Sequence, residues 1–255
     1  MRFSLRFAIA CVFAMVTLTR AADAPASGDP PSAELTAGAN DQMRFVLIGP
    51  MPNDAPKDGY HLLLILPGGD GSADFRPFCT NLLKQALPPT YLVAELIAPK
   101  WRDGNDRIVW PTEKLRDEKM KFTTEEFMDA VVAEVQKKQK VDPKHVYALG
   151  WSSGGPPVYA AAMREKTPIT GAFVAMSVFK PEQLPPLKKL DGRAFHILHS
   201  PQDFIPMRFP EAARDTLKKA GAVTQLTTYE GGHGWHGDVF GSIRAGIEWL
   251  EKNSP

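Results

Sequence analysis

Residues 145–155 read HVYALGWSSGG, and this stretch decides the fold class. Its apolar start, 145–149, predicts a buried strand, and the alanine-rich run 158–163 predicts a helix soon after it. The pattern G-x-S-x-G lies between them and begins at Gly150. Glycine at both ends lets the chain turn sharply from strand to helix, so the Ser152 hydroxyl projects above the strand end, toward the helix N-terminus. Ser152 is therefore a candidate nucleophile; the alternative is a serine- and glycine-rich helix start without chemistry.

Strand and helix patterns alternate along the rest of the chain. Helical patterns include one that begins with the capping-box spacing of Thr123 and Glu126, one over 211–220 and one over 240–250. Short runs rich in apolar and β-branched residues predict strands that are covered on both faces. These runs are 44–48, 61–66, 91–97, 145–149, 169–176, 194–199 and 224–229. The alternation predicts an α/β fold with a mostly parallel central sheet flanked by helices.

A serine hydroxyl is a weak nucleophile unless a neighbouring base takes its proton. In the fold that this G-x-S-x-G turn resembles, the acid and then the histidine follow the serine along the chain. His233, in EGGHGW, follows the last predicted strand and is the candidate base, with His236 as the alternative. Asp203, in HSPQDFIP, follows another strand end and is the candidate acid that orients the imidazole. The competing interpretations are a surface-loop histidine and a turn aspartate.

The loop LPGGDGS, residues 66–72, follows a predicted strand and is a candidate for oxyanion binding. In proteins with this type of serine turn, one backbone N–H of such a loop and the N–H of the residue after the serine bind the oxyanion. We expect these donors to be Gly69, with Asp70 as the alternative, and Ser153. A phosphate-binding loop is the competing interpretation, but the loop lacks G-K-[ST] and the G-x-G-x-x-G spacing.

Tryptophans mark the candidate substrate-binding surface. The long segment 99–122 does not fit the alternation and contains Trp101 and Trp110. Long connections in α/β proteins often lie at the carboxyl ends of the strands, where ligands bind. Trp151 and Trp235 flank the candidate nucleophile and base. We therefore expect these four tryptophans to contact the substrate.

The motifs LPGGDGS, GWSSGG, HSPQDFIP and YEGGHGW occur in this order within residues 43–252 and together resemble the secreted esterases of the α/β-hydrolase superfamily. The polyhydroxybutyrate depolymerase and feruloyl esterase-like group is the most similar, and the phospholipase/carboxylesterase-like group comes next. The resemblance implies the α/β-hydrolase fold, a triad of Ser152, His233 and Asp203, hydrolysis of carboxylic esters through an acyl-enzyme, and no cofactor.

The chain departs from the pattern of these families in three features. The families commonly have His-Gly in the oxyanion loop, where this chain has Pro67 and Gly68, and this difference concerns the identity of the oxyanion donor. They often have His-Gly before the acid, where this chain has His199 and Ser200. The disulfides of the group are also absent from this sequence.

The composition indicates one globular domain, which we assign to residues 41–255. The chain has 255 residues, 44% of them hydrophobic, and its 30 basic and 29 acidic residues give no indication of a nucleic-acid partner. The expected partner is a small-molecule or polymer ester, and the oligomeric state is open. A peptidase with the same triad and a non-catalytic binding protein are the alternative functions. No metal is expected, because H-x-x-H spacing puts His196 and His199 on opposite faces of a strand.

The N-terminus has the pattern of a secretory signal peptide. Two arginines precede the apolar run 7–18, and ADA at 22–24 has the form of a cleavage site. The run is shorter than the roughly 20 residues that a permanent membrane span needs. We expect residues 1–24 to be a signal peptide, residues 25–40 a flexible linker, and the protein to be secreted or periplasmic. Cys79 is then the only cysteine of the mature chain, and we expect it to be a buried apolar side chain.

Overall fold

A computed structural model of the chain describes residues 28–49, 55–101 and 108–254. The predicted signal peptide and the start of the predicted linker, residues 25–27, lie outside these ranges. Within the described ranges, no helix combines the length and the apolar composition needed to cross a membrane.

Strands and helices alternate along the described residues, as the sequence predicts. The strands are β1 (Ser32–Thr36), β2 (Arg44–Ile48), β3 (Tyr60–Leu66), β4 (Tyr91–Leu96), β5 (Val141–Trp151), β6 (Gly171–Ala175), β7 (Ala194–His199) and β8 (Val223–Thr228). The α-helices are α1 (Arg76–Ala86), α2 (Thr124–Lys138), α3 (Gly155–Ala162), α4 (Arg208–Lys219) and α5 (Val239–Asn253). Each predicted strand is confirmed, although β5 begins four residues before its predicted start.

The strands form one sheet in the order β1-β2-β4-β3-β5-β6-β7-β8. Strand β2 is antiparallel to β1 and β4, and all other neighbours are parallel. The mostly parallel sheet of the predicted α/β fold is therefore confirmed. Since parallel strands end at the same edge, the loops after β3, β5, β7 and β8 emerge together.

Side chains that alternate along the strands build a core on each face of the sheet. On one face, Leu62 and Leu64 belong to the same apolar cluster as Phe127 of α2. On the other face, Leu63 belongs to the same cluster as Leu82 of α1. Helices α2, α3 and α4 cover the first face, and α1 and α5 cover the second. Each fully buried leucine of this kind contributes roughly 1.5–3 kcal/mol to the free energy of folding. The loops at the strand ends are therefore attached to a tightly packed sheet.

The prediction that residues 25–40 form a flexible linker is wrong for residues 32–36, because these residues form β1. Their backbone pairs with β2 from the Ser32–Ile48 pair to the Thr36–Arg44 pair. The side chains of β1 are mostly exposed, so the segment has the polar composition of a linker while the ladder satisfies its backbone. An ion pair between Glu34 of β1 and Arg44 of β2, 2.5 Å apart, also holds these two strands together.

Helix α1 was not predicted from the sequence, although its residues form a regular apolar stripe. Cys79, Leu82, Leu83 and Ala86 are buried at helical spacing. The predicted burial of Cys79 is confirmed, and burial, together with the nearby Glu95 carboxyl, raises the pKa of the Cys79 thiol. The capping box that opens α2 is also confirmed, with Thr123 and Glu126 each bonding to the other's backbone N–H.

Candidate functional site

The turn after β5 holds Ser152 in a strained conformation. Strand β5 ends at Trp151, and the chain passes through Ser152 into a 3-10 turn that leads into α3. The φ angle of Ser152 is 52°, in the left-handed region; among the described non-glycine residues only Met176 shares a positive φ. Gly154 lets this turn lie against β3, because a Cβ there would be 2.0 Å from the Leu66 carbonyl oxygen. Strain of this kind persists where packing enforces it, and it is concentrated at functional sites.

Ser177 gives the serine turn a second anchor. Its hydroxyl donates a hydrogen bond to the carbonyl oxygen of Ser152 at 2.8 Å. Ser177 is itself buried, and a Cβ added at Gly155 would lie 2.2 Å from the Ser177 Oγ. The start of α3 therefore packs directly on this hydroxyl. Sequence reasoning missed Ser177, because only the fold brings the loop after β6 beside the loop after β5.

Ser152, His233 and Asp203, predicted separately from three loops, form a continuous hydrogen-bonded chain. His233 Nε2 lies 3.1 Å from Ser152 Oγ, and His233 Nδ1 lies 2.9 and 3.0 Å from the two carboxylate oxygens of Asp203. The Asp203 side chain is fully buried, while 23% of the His233 side chain is exposed. A carboxylate can only accept, so Nδ1 carries the proton and Nε2 is free to accept from the serine hydroxyl.

Hydrogen bonds on both sides of Asp203 fix the loop after β7, residues 200–207, which we call the acid loop. The Asp203 carboxylate accepts a hydrogen bond from the Ile205 N–H at 2.7 Å. The buried ring of His199 donates from Nε2 to the Ile205 carbonyl oxygen at 2.8 Å. His196, on the same strand, lies in the core, where burial lowers its pKa to about 4. These contacts give His199 a positioning role in the acid loop.

Polar side chains of the acid loop also hold the loop after β8, residues 229–238, which carries His233 and which we call the histidine loop. The Ser200 hydroxyl accepts from the Gly232 N–H at 3.1 Å, and the Gln202 amide oxygen accepts from the Gly231 N–H at 3.3 Å. The Gln202 amide nitrogen donates to the carboxylate of Glu230. Loops from two neighbouring strands therefore form one hydrogen-bonded unit around the Asp203–His233 pair. The serine at position 200, a departure from the family pattern, takes part in this unit.

Tyr229 contacts the backbone on both sides of His233. Its hydroxyl lies 2.9 Å from the carbonyl oxygen of Gly232 and 2.7 Å from that of Gly234. Burial and the nearby Asp203 charge raise the pKa of Tyr229 to about 12, so the hydroxyl keeps the proton that it donates. Sequence reasoning treated Tyr229 only as a strand end. The sequence feature that could have indicated its role is the position of a tyrosine immediately before EGGHG.

The loop after β3 lies beside the serine turn, as the prediction of an oxyanion loop requires. Gly69 has a φ of 62° and is exposed, and its carbonyl oxygen accepts a hydrogen bond from the Ser153 hydroxyl at 2.9 Å. Gly68 packs so closely on the serine turn that a Cβ there would lie 2.7 Å from the Trp151 ring. The hydrogen bond from Ser153 therefore joins the serine turn to the loop after β3. Their role as oxyanion donors stays a prediction.

The four tryptophans predicted to bind substrate occupy two kinds of position. Trp101, Trp110 and Trp151 are at most 9% exposed, which leaves them little surface for a ligand. Trp110 donates from Nε1 to the Pro67 carbonyl oxygen at 3.0 Å, so it helps to hold the loop after β3. Trp235 is half-buried and stacks on a phenylalanine of α1. Substrate contact by any of the four remains a prediction.

A cluster that contains two histidines lies near the amino ends of β3 and β5, at the opposite ends of these strands from Ser152. Side chains of His61, His145 and Asp142 offer metal-ligating atoms within 4.8 Å of one another. However, the two imidazole rings are stacked at 3.9 Å with planes 7° apart, and a metal ion must lie near the plane of each ring that binds it. Their Nδ1 atoms bond instead to Glu251 and Asp142. In this arrangement the cluster is a hydrogen-bonded unit that ties α5 to the sheet.

Comparison with known proteins identifies the fold. No protein-family model and no curated protein matches the sequence, but solved structures do. A carboxylesterase of Bacillus cereus is similar with a TM-score of 0.62 and 19% identity, over 82% of this chain and 93% of its own. An α/β-hydrolase enzyme from a Medee basin deep-sea metagenome library has a TM-score of 0.63 and 14% identity, over 88% and 98%. An esterase of Pyrobaculum calidifontis has a TM-score of 0.66 and 13% identity, over 88% and 87%. The chain has the α/β-hydrolase fold.

Proposed function

We propose that this protein is a serine hydrolase that cleaves carboxylic esters. The observation that carries the proposal is the continuous chain from Ser152 Oγ through His233 to the buried Asp203 carboxylate. The positive φ of Ser152 and its position at the start of a helix support the role of a nucleophile. The solved structures of similar fold include proteins named as carboxylesterases and esterases, which favours an ester over other acyl substrates.

The hydrogen-bonded chain supports acyl transfer in two steps. Nε2 of His233 takes the Ser152 proton as Oγ attacks the ester carbonyl, and Asp203 stabilises the resulting imidazolium. The tetrahedral intermediate collapses, the bond to the alcohol oxygen breaks, and Nε2 returns the proton to that oxygen. A water molecule then attacks the acyl-enzyme with the same base, releasing the carboxylic acid and regenerating the serine.

We assign stabilisation of the oxyanion to backbone N–H groups of Gly69 and Ser153. A single donor of this type is typically worth about 3 kcal/mol in the transition state. The Ser153 hydroxyl donates to the Gly69 carbonyl oxygen, and this bond supports the two backbone segments in a fixed relation. Gly69 is exposed, so a substrate oxygen could approach its backbone.

The experiment is hydrolysis of p-nitrophenyl acetate and butyrate by the purified mature chain. We expect Ser152→Ala and His233→Ala each to lower kcat by at least about 10⁴-fold. His236→Ala is the matched control, because His236 is exposed and three residues from the proposed base. Full activity of Ser152→Ala, or a loss caused by His236→Ala instead of His233→Ala, would overturn the assignment.

We also propose, on the N-terminal sequence pattern alone, that residues 1–24 are removed on secretion. Expression of the full chain in a secreting host, followed by N-terminal sequencing of the protein outside the cytoplasm, tests this. A mature N-terminus close to residue 25 is the expected result. Retention of residues 1–24 in the cytoplasmic fraction would contradict it.

A further inference from the structure

Phe204 is the most exposed of the large apolar side chains in the described residues. Its exposed fraction is 76%, against 45% for Leu187 and 40% for Val223. Single exposed apolar residues are common, so exposure alone implies little. The position of Phe204 is informative, because its ring centroid lies 4.3 Å from that of His233, with the two planes at 39°.

The backbone around Phe204 is held on both sides, although most of its side chain is exposed. The preceding Asp203 N–H donates to the Ser200 carbonyl oxygen at 3.0 Å. The following Ile205 donates its N–H to the Asp203 carboxylate and accepts at its carbonyl from His199. Phe204 is therefore presented from the same fixed loop that orients the proposed base. An exposed ring at such a place can gain burial only when something binds over it.

The chemistry of acylation determines which half of an ester lies beside this ring. Nε2 of His233 must return its proton to the alcohol oxygen, so that oxygen has to come within hydrogen-bond distance of Nε2. In the proposed mechanism the carbonyl oxygen faces Gly69 and Ser153. The alcohol portion would then begin at Nε2 of the His233 ring, and Phe204 lies against that ring.

We propose that Phe204 binds the alcohol portion of the substrate, and that the enzyme prefers esters with an extended apolar or aromatic alcohol over those with a short one. The proposal rests on the proposed ester hydrolysis. It concerns acylation alone, because the alcohol has left before the acyl-enzyme reacts with water. Phe204 is therefore a specificity-determining residue whose effect is confined to one half-reaction.

The test uses acetate esters that share one acyl group and differ in the alcohol: methyl, butyl, hexyl and benzyl acetate. We expect Phe204→Ala to lower kcat/KM for hexyl and benzyl acetate by about 10-fold, the lower end of what one lost apolar contact costs. For methyl acetate we expect a change of less than about 2-fold. Phe204→Tyr keeps the ring and should keep the preference. Leu187→Ala, an exposed apolar residue in another loop, is the matched control.

A second measurement separates a binding role from damage to His233. Every ester of the series forms the same acetyl-enzyme, so we expect its hydrolysis rate, followed by single-turnover mass spectrometry, to be unchanged in Phe204→Ala. Equal losses for all four alcohols, a slower hydrolysis of the acetyl-enzyme, or unchanged kinetics would each overturn the proposal while ester hydrolysis by the wild type stands. A wild type that hydrolyses none of the esters and forms no acetyl-enzyme would overturn both proposals.

Discussion

The Tyr229 hydroxyl is the only side-chain group in the described site that bonds to the backbone on both sides of the proposed base. We expect Tyr229→Phe to lower kcat about 10-fold with little change in KM, because the imidazole loses orientation while the substrate surface is kept. The measurement is steady-state kinetics on one p-nitrophenyl ester.

Tyr91→Phe is a matched control for this prediction. The Tyr91 hydroxyl also makes a partly buried hydrogen bond, to Glu251 at 2.8 Å, but near the opposite ends of the parallel strands. Both variants lose one hydroxyl and both should lower thermal stability. Only Tyr229→Phe should lower kcat; equal effects of the two on kcat would mean that Tyr229 acts through general stability.

The three residues of the proposed triad could be predicted from the sequence, whereas the residues that position them could not. Ser152, Asp203 and His233 each follow a strand and occur in a characteristic order with diagnostic neighbours. Tyr229 and Ser177 act on backbone carbonyl oxygens, which every residue has, so no sequence pattern identifies their partners. Their contacts exist only because adjacent strand ends bring separate loops together.

At the scale of elements, the loop after β3 and the serine turn pack as one unit, and Gly68 lies at the point of contact. A Cβ at Gly68 would lie 2.7 Å from Cδ1 and 2.8 Å from Nε1 of Trp151, and 3.0 Å from the Cβ of Ser152. We expect Gly68→Ala to lower kcat/KM about 100-fold, since small displacements of reacting groups have effects of this size. The measurement is hydrolysis of p-nitrophenyl acetate.

The double variant Gly68→Ala/Trp151→Ala tests whether this contact is the cause. Alanine at position 151 lacks both ring atoms that the new methyl group would meet, so the loss in the double variant should be smaller than the losses of Gly68→Ala and Trp151→Ala combined. Wild-type activity in Gly68→Ala would show that the two elements can separate without consequence. Additive losses in the double variant would show that the contact with Trp151 is not responsible.

The sequence also predicted central elements better than peripheral ones. Strands β3 and β7 and residues 146–151 of β5 are almost entirely buried, so nearly continuous apolar runs identify them. Strand β1 has mostly exposed side chains, and its identity depends on a backbone ladder with β2 that composition does not reveal. Helix α1 begins after a 3-10 turn at Ala73–Phe75 and has no side-chain N-cap, so it lacks the capping signal that marks α2.

At the scale of the whole molecule, Glu95 makes the free energy of unfolding depend on pH. Glu95 is fully buried on β4, and neither carboxylate oxygen has a hydrogen-bond partner among the described residues. Burial raises its pKa to about 8, against the attraction of Arg76 and with a contribution from Asp74. Between the ordinary value of 4.5 and pH 8, the folded state keeps a proton that the unfolded state has lost. Stability therefore falls as pH rises through this window, by up to about 1.4 kcal/mol per pH unit.

Glu95→Gln should remove this dependence, because the amide is similar in shape and does not ionise. Urea unfolding at intervals from pH 5.5 to 8.5 is the measurement. We expect the variant to gain stability relative to the wild type as pH rises, by about 3 kcal/mol over the range. Parallel curves for the two proteins would contradict the assignment of a buried, protonated carboxyl.

In the proposed mechanism, the hydrogen-bonded chain from Asp203 through His233 makes the Ser152 hydroxyl nucleophilic. A fluorophosphonate probe tests it most directly, with intact mass spectrometry and peptide mapping of the product. We expect one probe per chain, attached to Ser152, at a rate that falls at least about 10³-fold in His233→Ala. Folded wild-type protein that stays unlabelled, or that is labelled at a residue other than Ser152, would contradict the account.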